Sequence, residues 1–381
     1  MAEEPRSTSP AVRQSPPAPV KSPSGAQRDR RKLPTSTGPL VALVALCVIL
    51  SIMSPSFLSW TNIFNIGQQV AVLGILAIGG TVVIILGGID LSVGAVLGLA
   101  GAVVGVLHVG LGANIWLAVL AALVVGAMAG VLNGIMIVYG RLPAFIATLA
   151  MMSVARGLAL VVLNGRPLSG YPQEFRNLAT YYIGGWLPSS LLIVIILFVI
   201  GGLYLRFKPS GRGLFALGAN YEVARLSGLP VRRLTISVYA MAGLLAAVGG
   251  VLLTARLGSA QPTAGSMMEL DVIAAVVIGG ASLAGGYGSI GGTAIGVLII
   301  GVLRNGLNLL NVSSFWQEVI IGCVIAGAVL IENLRQRREA RPQKVSPRLV
   351  SDRDRFQMSS TRRMLRHPKT PIRSKEPRAN S

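Results

Sequence analysis

Charge is scarce in this chain. Asp, Glu, Lys and Arg make up 13% of its 381 residues, where a soluble domain carries about a quarter. With 52% apolar residues and a mean hydropathy of +0.66, the composition points to a membrane protein. Cysteine is nearly absent. Cys47 and Cys323 each sit inside an apolar run, so a disulfide framework or a cysteine zinc site is excluded. The two histidines, His108 and His367, lie far apart and cannot form a ligand cluster. No Lys follows a Gly anywhere, so the phosphate-binding sequence G-x-x-x-x-G-K-[ST] is missing. GxSxG is absent too, as are paired-carboxylate and His-rich clusters. The chain is expected to be no enzyme, to carry no cofactor and to hydrolyse no ATP by that route.

The basic residues are concentrated at the two ends. Residues 1–38 carry net +4 and residues 335–381 net +11, which leaves +5 for everything between. The pI of about 11.2 therefore describes tails. Both tails are poor in apolar residues, and the first is rich in Pro and Ser. They are expected to be disordered. Because the basic residues flank apolar runs, their partner is read as anionic membrane lipid, not nucleic acid.

Between the tails, apolar stretches follow one another near 39–58, 68–88, 93–110, 114–138, 142–163, 186–207, 234–256, 270–285, 289–311 and 313–333. A span of hydrocarbon takes about 20 residues and must satisfy its own backbone, so these are helices. The first run starts near Pro39 and is too long for a signal-peptide core. It reads as an uncleaved first helix. The expected fold is an all-α polytopic membrane protein of about ten transmembrane helices, occupying 39–334. Eight spans plus re-entrant segments is the competing count, because the stretch 270–285 is short and Gly-rich.

Lys and Arg set the orientation. Arg28, Arg30, Arg31 and Lys32 precede the first span, Arg141 follows the fourth, and Arg335, Arg337 and Arg338 follow the last. The segment 206–233 carries Arg206, Lys208, Arg212, Arg225, Arg232 and Arg233 against one acid, Glu222. Ten crossings place all of these on one side, the cytoplasmic one, together with both termini. The opposite loops, 164–185 and 256–271, are poorer in charge.

Several residues stand out against this apolar background. Asp90 is the lone acid between the first span and residue 164. Ionisable groups in a span are functional candidates, and with Ser92 it is placed on a candidate substrate path. It also follows two glycines at a helix start, where a carboxylate caps free N–H groups. Gly94, Gly98, Gly101 and Gly105 fall on one helical face, suited to close packing or to a backbone-lined pore. Arg304 and Asn308, with Asn311 three residues on and Asn305 beside them, form a polar stripe. That stripe fits a hydroxyl-rich solute or structural bonds between helices, with Arg304 snorkelling outward. Asn133 carries the same two readings. In 206–233, Asn220 can cap a short helix that Gly228 ends, held out where a soluble partner could dock. A weak repeat pairs 87–94 with 279–286 as GGxxLxxG, and Gly-interrupted segments in corresponding halves point to transport sites. A second pairing, GVLNG at 130–134 with GVLRNG at 301–306, runs in the opposite direction in this topology.

A family resemblance rests on GGIDLSVGAVLGLAGAVVG (87–105), GVLNG (130–134), RLPAFIATLAMMSVARGLALV (141–161), GANYEVARLSGLPV (218–231), LTARLGSAQPTAGSMMELDVIAAVVIGGASLAGGYGSIGGT (253–293) and GLNLLNVSSFWQ (306–317). In this order they resemble the ribose-type permeases of bacterial ABC sugar importers. The resemblance implies a subunit of the bacterial inner membrane that moves a monosaccharide by alternating access. It implies three partners: a separate ATPase with tandem nucleotide-binding domains, a periplasmic sugar-binding protein, and a second permease copy, identical or paralogous. It carries ATPase coupling to Gly218, Asn220, Glu222, Ala224, Arg225 and Gly228, and binding-protein contact to 164–185 and 256–271. Arg304 departs from the pattern, which more often has a neutral polar residue there. An ion-coupled secondary transporter is the rival reading, and it would need intramembrane carboxylates or histidines beyond Asp90.

Overall fold

A computed structural model describes residues 37–339. The tail segments 1–36 and 340–381, and the disorder expected of them, lie outside the described residues.

The chain is a helical bundle. Its long helices are α1 (Thr37–Met53), α2 (Trp60–Ile85), α3 (Val93–Gly105), α4 (Ile115–Val138), α5 (Ala144–Val162), α7 (Ser189–Phe207), α10 (Val231–Leu257), α12 (Ile290–Leu309) and α13 (Ser314–Glu339). Four shorter ones complete it: α6 (Gln173–Thr180), α8 (Pro209–Ala219), α9 (Tyr221–Leu226) and α11 (Met268–Ile278). Among the described residues, seven helices are long and apolar enough to cross a membrane: α2, α3 with its π-turn extension to Gly110, α4, α5, α7, α10 and α12. The helix α1, the apolar part of α13 to Gly327, and α11 are shorter. All ten apolar stretches of the sequence are thus helical. The eighth is a broken one, as its glycines suggested. Helix α13 also runs five residues into the segment read as tail, where Arg, Gln and Glu are good helix formers.

Helix α2 is the axis of the bundle. Every residue from Val70 to Ile85 is buried, and it packs against α7, α10, α11 and α12. It begins eight residues before the apolar run at 68. Ser59 caps it through Asn62 N–H (3.3 Å), and Asn62 finds partners inside the protein. The Asn62 amide donates to Phe57 O (2.8 Å) and exchanges hydrogen bonds with the Asn305 amide (2.9 and 2.7 Å). Toward the C-terminal end of α2, the Thr81 and Thr293 hydroxyls share a hydrogen bond at 2.7 Å. Helix α10 lies across α4, α2 and α3, with Gly126, Gly130 and Gly134 of α4 pressed onto its backbone. GVLNG thus serves a close crossing of α4 with α10. Gly301 and Gly306 of GVLRNG instead meet Val70 of α2 and Leu50 of α1, so the second sequence match does not mark equivalent positions.

The two ends of the bundle differ. At one end α6 covers the helices, and Leu168–Ser169 pairs antiparallel with Ser259–Ala260. At the other end lie α8 and α9.

Candidate functional site

Two helices, not one, fill the 206–233 segment. Pro209 opens α8 at a position where its missing N–H is harmless. Asn220 then separates α8 from α9 and caps the latter, its Oδ1 accepting from Val223 N–H (3.1 Å). Gly228, at φ +79°, turns the chain out of α9 in a conformation that glycine adopts freely. Ala224 is buried, as are Leu214 and Leu217 of α8, so the pair of helices is anchored on its inner side. The outer side presents Tyr221, Val223 and Leu226, the last 77% exposed, and an exposed Glu222–Arg225 ion pair at 2.9 Å. A cleft of about 620 Å³ separates α9 from the α4–α5 corner, with Arg141, Arg225 and Arg232 on its walls.

Gly218 is where this outlying pair meets the bundle. A β-carbon on it would fall on Ile85 O and 2.6 Å from Gly286 N. Those two atoms are themselves bonded, Gly286 N–H donating to Ile85 O at 2.9 Å. The end of α8, the end of α2 and the 279–289 connection therefore meet at one point.

The repeat noticed in the sequence is located at this point, but shifted by one residue. Gly87 N–H donates to Ile84 O (2.9 Å) and Gly88 N–H to Val83 O (3.0 Å) at the end of α2. Gly280 N–H donates to Val277 O (2.9 Å) and Ala281 N–H to Val276 O (3.1 Å) at the end of α11. Gly87 and Gly280 have φ +87° and +91°. They are the equivalent residues, whereas the GGxxLxxG alignment pairs Gly87 with Gly279. Both are left-handed helix stops of the kind glycine supplies.

The candidate path residues fall into two groups. Asp90, Ser92 and Asn133 come together just past the end of α2. Ser92 donates to Asp90 Oδ1 through both its backbone N–H (2.8 Å) and its hydroxyl (2.6 Å), and the Asn133 amide donates to Ser92 Oγ (2.9 Å). All three are buried. Asp90 thus braces the turn before α3 and does not reach the free N–H groups of its first turn; Ser92, at the cap position, makes no side-chain cap bond either. Tyr239, whose hydroxyl lies against Gly88, is fully buried, and among the described residues that hydroxyl has no hydrogen-bond partner. Arg304, Asn305 and Asn308 lie near the other end of α2, whose 26 residues span roughly 39 Å. Asn305 faces Asn62, and Asn308 Oδ1 accepts from the Gln317 amide (2.8 Å). Arg304 does not snorkel outward. It binds Asp271 Oδ2 at 2.6 Å and ties α12 to α11.

Charges that read as loop residues in the sequence prove to belong to helices. Arg256 is in the last turn of α10, and Glu269 and Asp271 are in the first turn of α11. Asp271 is buried, and Arg256 donates to Gln68 O (3.3 Å). Arg156 lies inside α5, a charge that the sequence pattern alone does not tie to any partner. Its signal was available: it is the one charged residue of the apolar stretch 142–163.

The face Gly94, Gly98, Gly101 and Gly105 is a packing face. β-carbons there would press on Gly265 O, Ala264 O, Thr254 Oγ1 and the Ala260 methyl respectively.

A helical bundle with seven apolar helices of membrane-spanning length, and a broken-helix junction touched by an outlying helix pair, is the architecture of a polytopic membrane protein. The family model described as "Branched-chain amino acid transport system / permease component" matches residues 62–329. The chain belongs to this family, and within it to the ribose-type ABC permeases. It is 47% identical over 300 residues to ribose import permease protein RbsC of Escherichia coli (strain K12), covering 78% of this chain and 93% of that one. Against RbsC of Bacillus subtilis (strain 168) the identity is 48% over 297 residues, covering 77% and 92%. Xylose transport system permease protein XylH of E. coli (strain K12) is 32% identical over 369 residues, covering 78% and 93%. No solved structure matches the chain.

Proposed function

We propose that this chain is the membrane path of an ATP-driven importer of a monosaccharide, a ribose-like pentose or a related sugar. The names of its relatives support a sugar over the branched-chain amino acids of the family description. The observation that carries the mechanism is the contact of Gly218 with the Ile85–Gly286 bond. ATPase closure moves α8 and α9, and α8 transmits the movement without slack to the ends of α2 and α11. Both ends are glycine hinges, so the broken helices rock and the path changes from outward-open to inward-open.

In this reading Glu222, Ala224, Arg225 and Gly228 shape or hold the surface that an ATPase with tandem nucleotide-binding domains grips. Asn220 fixes the helix that carries it. Both termini then lie in the cytoplasm, and the end bearing α6 faces a periplasmic sugar-binding protein. A second permease copy completes the path. Asp90, Ser92 and Asn133 keep the hinge in shape. Arg304, Asn305 and Asn308 tie α12 to α11, α2 and α13 respectively, so their polar groups are engaged with protein partners.

The test is reconstitution in proteoliposomes, alone and with an ATPase and a sugar-binding protein of the same class, with ribose as the probe. Uptake that requires ATP and both partners is expected. Uptake by the chain alone, driven by a proton gradient and indifferent to ATP, overturns the reading.

A further inference from the structure

Arg156 and Glu269 are two charged side chains that the coupling mechanism leaves unused. Arg156 is the thirteenth of nineteen residues in α5, well inside a membrane-spanning helix and half-buried. A charge at that depth has to face protein or water, not lipid. Its Nη1 donates to Ala264 O at 2.7 Å. A guanidinium has five N–H donors, and this is its one hydrogen bond among the described residues. Glu269 Oε2 is buried and, among the described residues, has no hydrogen-bond partner.

Both groups rest on α3. A β-carbon on Gly94 would lie 2.5 Å from Glu269 Oε2, and one on Gly98 would lie 3.4 Å from Arg156 Nη1. Two of the four glycines on that face thus make room for a carboxylate and a guanidinium as well as for backbone. On α5 the neighbour of Arg156 three residues back, on the same face, is Ser153, and it is exposed. A hydroxyl and a guanidinium together make a poor lipid-facing surface.

The Arg304–Asp271 pair is different: its two charges are bonded to each other. Arg156 and Glu269 instead present spare donors beside an unused acceptor. A hydroxyl both donates and accepts, so a neighbouring pair of hydroxyls satisfies both groups at once.

We propose that Arg156 and Glu269 form a hydroxyl-recognition station for the solute on the wall made by α3, α5 and α11. One sugar hydroxyl donates to Glu269 Oε2 and its neighbour accepts from the Arg156 guanidinium. This rests on the reading of the chain as a sugar path.

Two measurements test it. In the first, the transporter assembled with its ATPase and binding protein is assayed for ribose moved per ATP hydrolysed. Glu269→Gln and Arg156→Gln are expected to lower that ratio at least tenfold while ATP hydrolysis stays within about twofold. Arg156→Lys, which keeps the charge, is expected to recover part of the loss. Unchanged ratios in an active complex overturn the station and leave the sugar-path reading standing. A wild-type complex that moves no ribose sinks the reading itself.

The second measurement needs neither charged residue altered. Ser153→Cys, in a chain with Cys47 and Cys323 replaced by Ala, is treated with a membrane-impermeant thiol reagent. Rapid labelling that ribose-loaded binding protein slows is expected. A thiol inert in every state of the cycle places this face of α5 against lipid and overturns the proposal.

Discussion

Gly218 lies against the carbonyl of Ile85, leaving no space for a side chain between α8 and the end of α2. The carbonyl is held in place by Gly286 N–H at 2.9 Å, so neither partner can retreat without breaking that bond. Gly218→Ala is therefore expected to push α8 off the junction while α8 and α9 themselves persist. In the reconstituted transporter, sugar moved per ATP hydrolysed should fall at least fivefold, with ATP hydrolysis continuing. Coupling at the wild-type ratio would show that force does not pass through this contact.

Glu222 and Gly228 act on the outer surface of the same unit. The Glu222–Arg225 pair is exposed on both sides, and such pairs add little to folding. Glu222→Ala should leave the melting temperature of the purified chain within a degree or two. It should weaken binding to the ATPase, measured as co-purification or by titration. Gly228→Pro replaces a residue at φ +79° by one confined near −65°. It should abolish ATP-coupled uptake with the bundle intact by circular dichroism. Normal coupling in both variants refutes the assignment of this surface.

Arg304 and Asp271 form an ion pair whose acid is buried and whose base is 29% exposed. Removing one partner of a buried pair strands the other charge, at a cost of roughly 3 kcal/mol, and less where water reaches the guanidinium. Arg304→Met should lower thermal stability in detergent by several degrees. The double variant Arg304→Met, Asp271→Leu should recover most of it, because neither charge is then left alone. A double variant no better than the single one would mean that the pair has a role beyond mutual neutralisation.

The Asn62–Asn305 amide pair gives a second double-mutant test. Each amide donates to the other across buried helices. Asn305→Leu leaves Asn62 with one unmet donor and one unmet acceptor, expected to cost about 2 kcal/mol. Replacing both by Leu should be closer to neutral. Denaturation in mixed micelles would measure both, and additive losses would contradict the pairing.

Much of this arrangement was legible beforehand, for definite reasons. A span must be apolar over about 20 residues whatever it packs against, so all ten helical stretches were visible, including the weak one at 270–285. Asn220 as cap and Gly228 as terminator were visible too, because capping is a local matter between residues three or four apart. Polar residues near the helix ends were harder. Asn62 reads as outside the membrane until Asn305 meets it from 243 residues away. Asp271 reads as a loop charge until Arg304 meets it. The repeat was detected, but its register slipped by one, since GGxxLxxG does not reveal which glycine has positive φ.

Composition, span length and the placement of Lys and Arg determined by themselves that the chain is a polytopic helical membrane protein with a cytoplasmic polar segment expected at 206–233. Those properties depend on the solvent around each helix and on contacts along one stretch of chain. Tertiary structure alone decided that Gly218, Ile85 and Gly286 share one point, that Arg304 belongs to Asp271, and that Glu269 and Arg156 rest against Gly94 and Gly98 of α3. Each of those relationships joins residues distant in sequence. In a bilayer, helices are sorted not by how apolar they are but by which polar groups and small residues fit one another across the crossing.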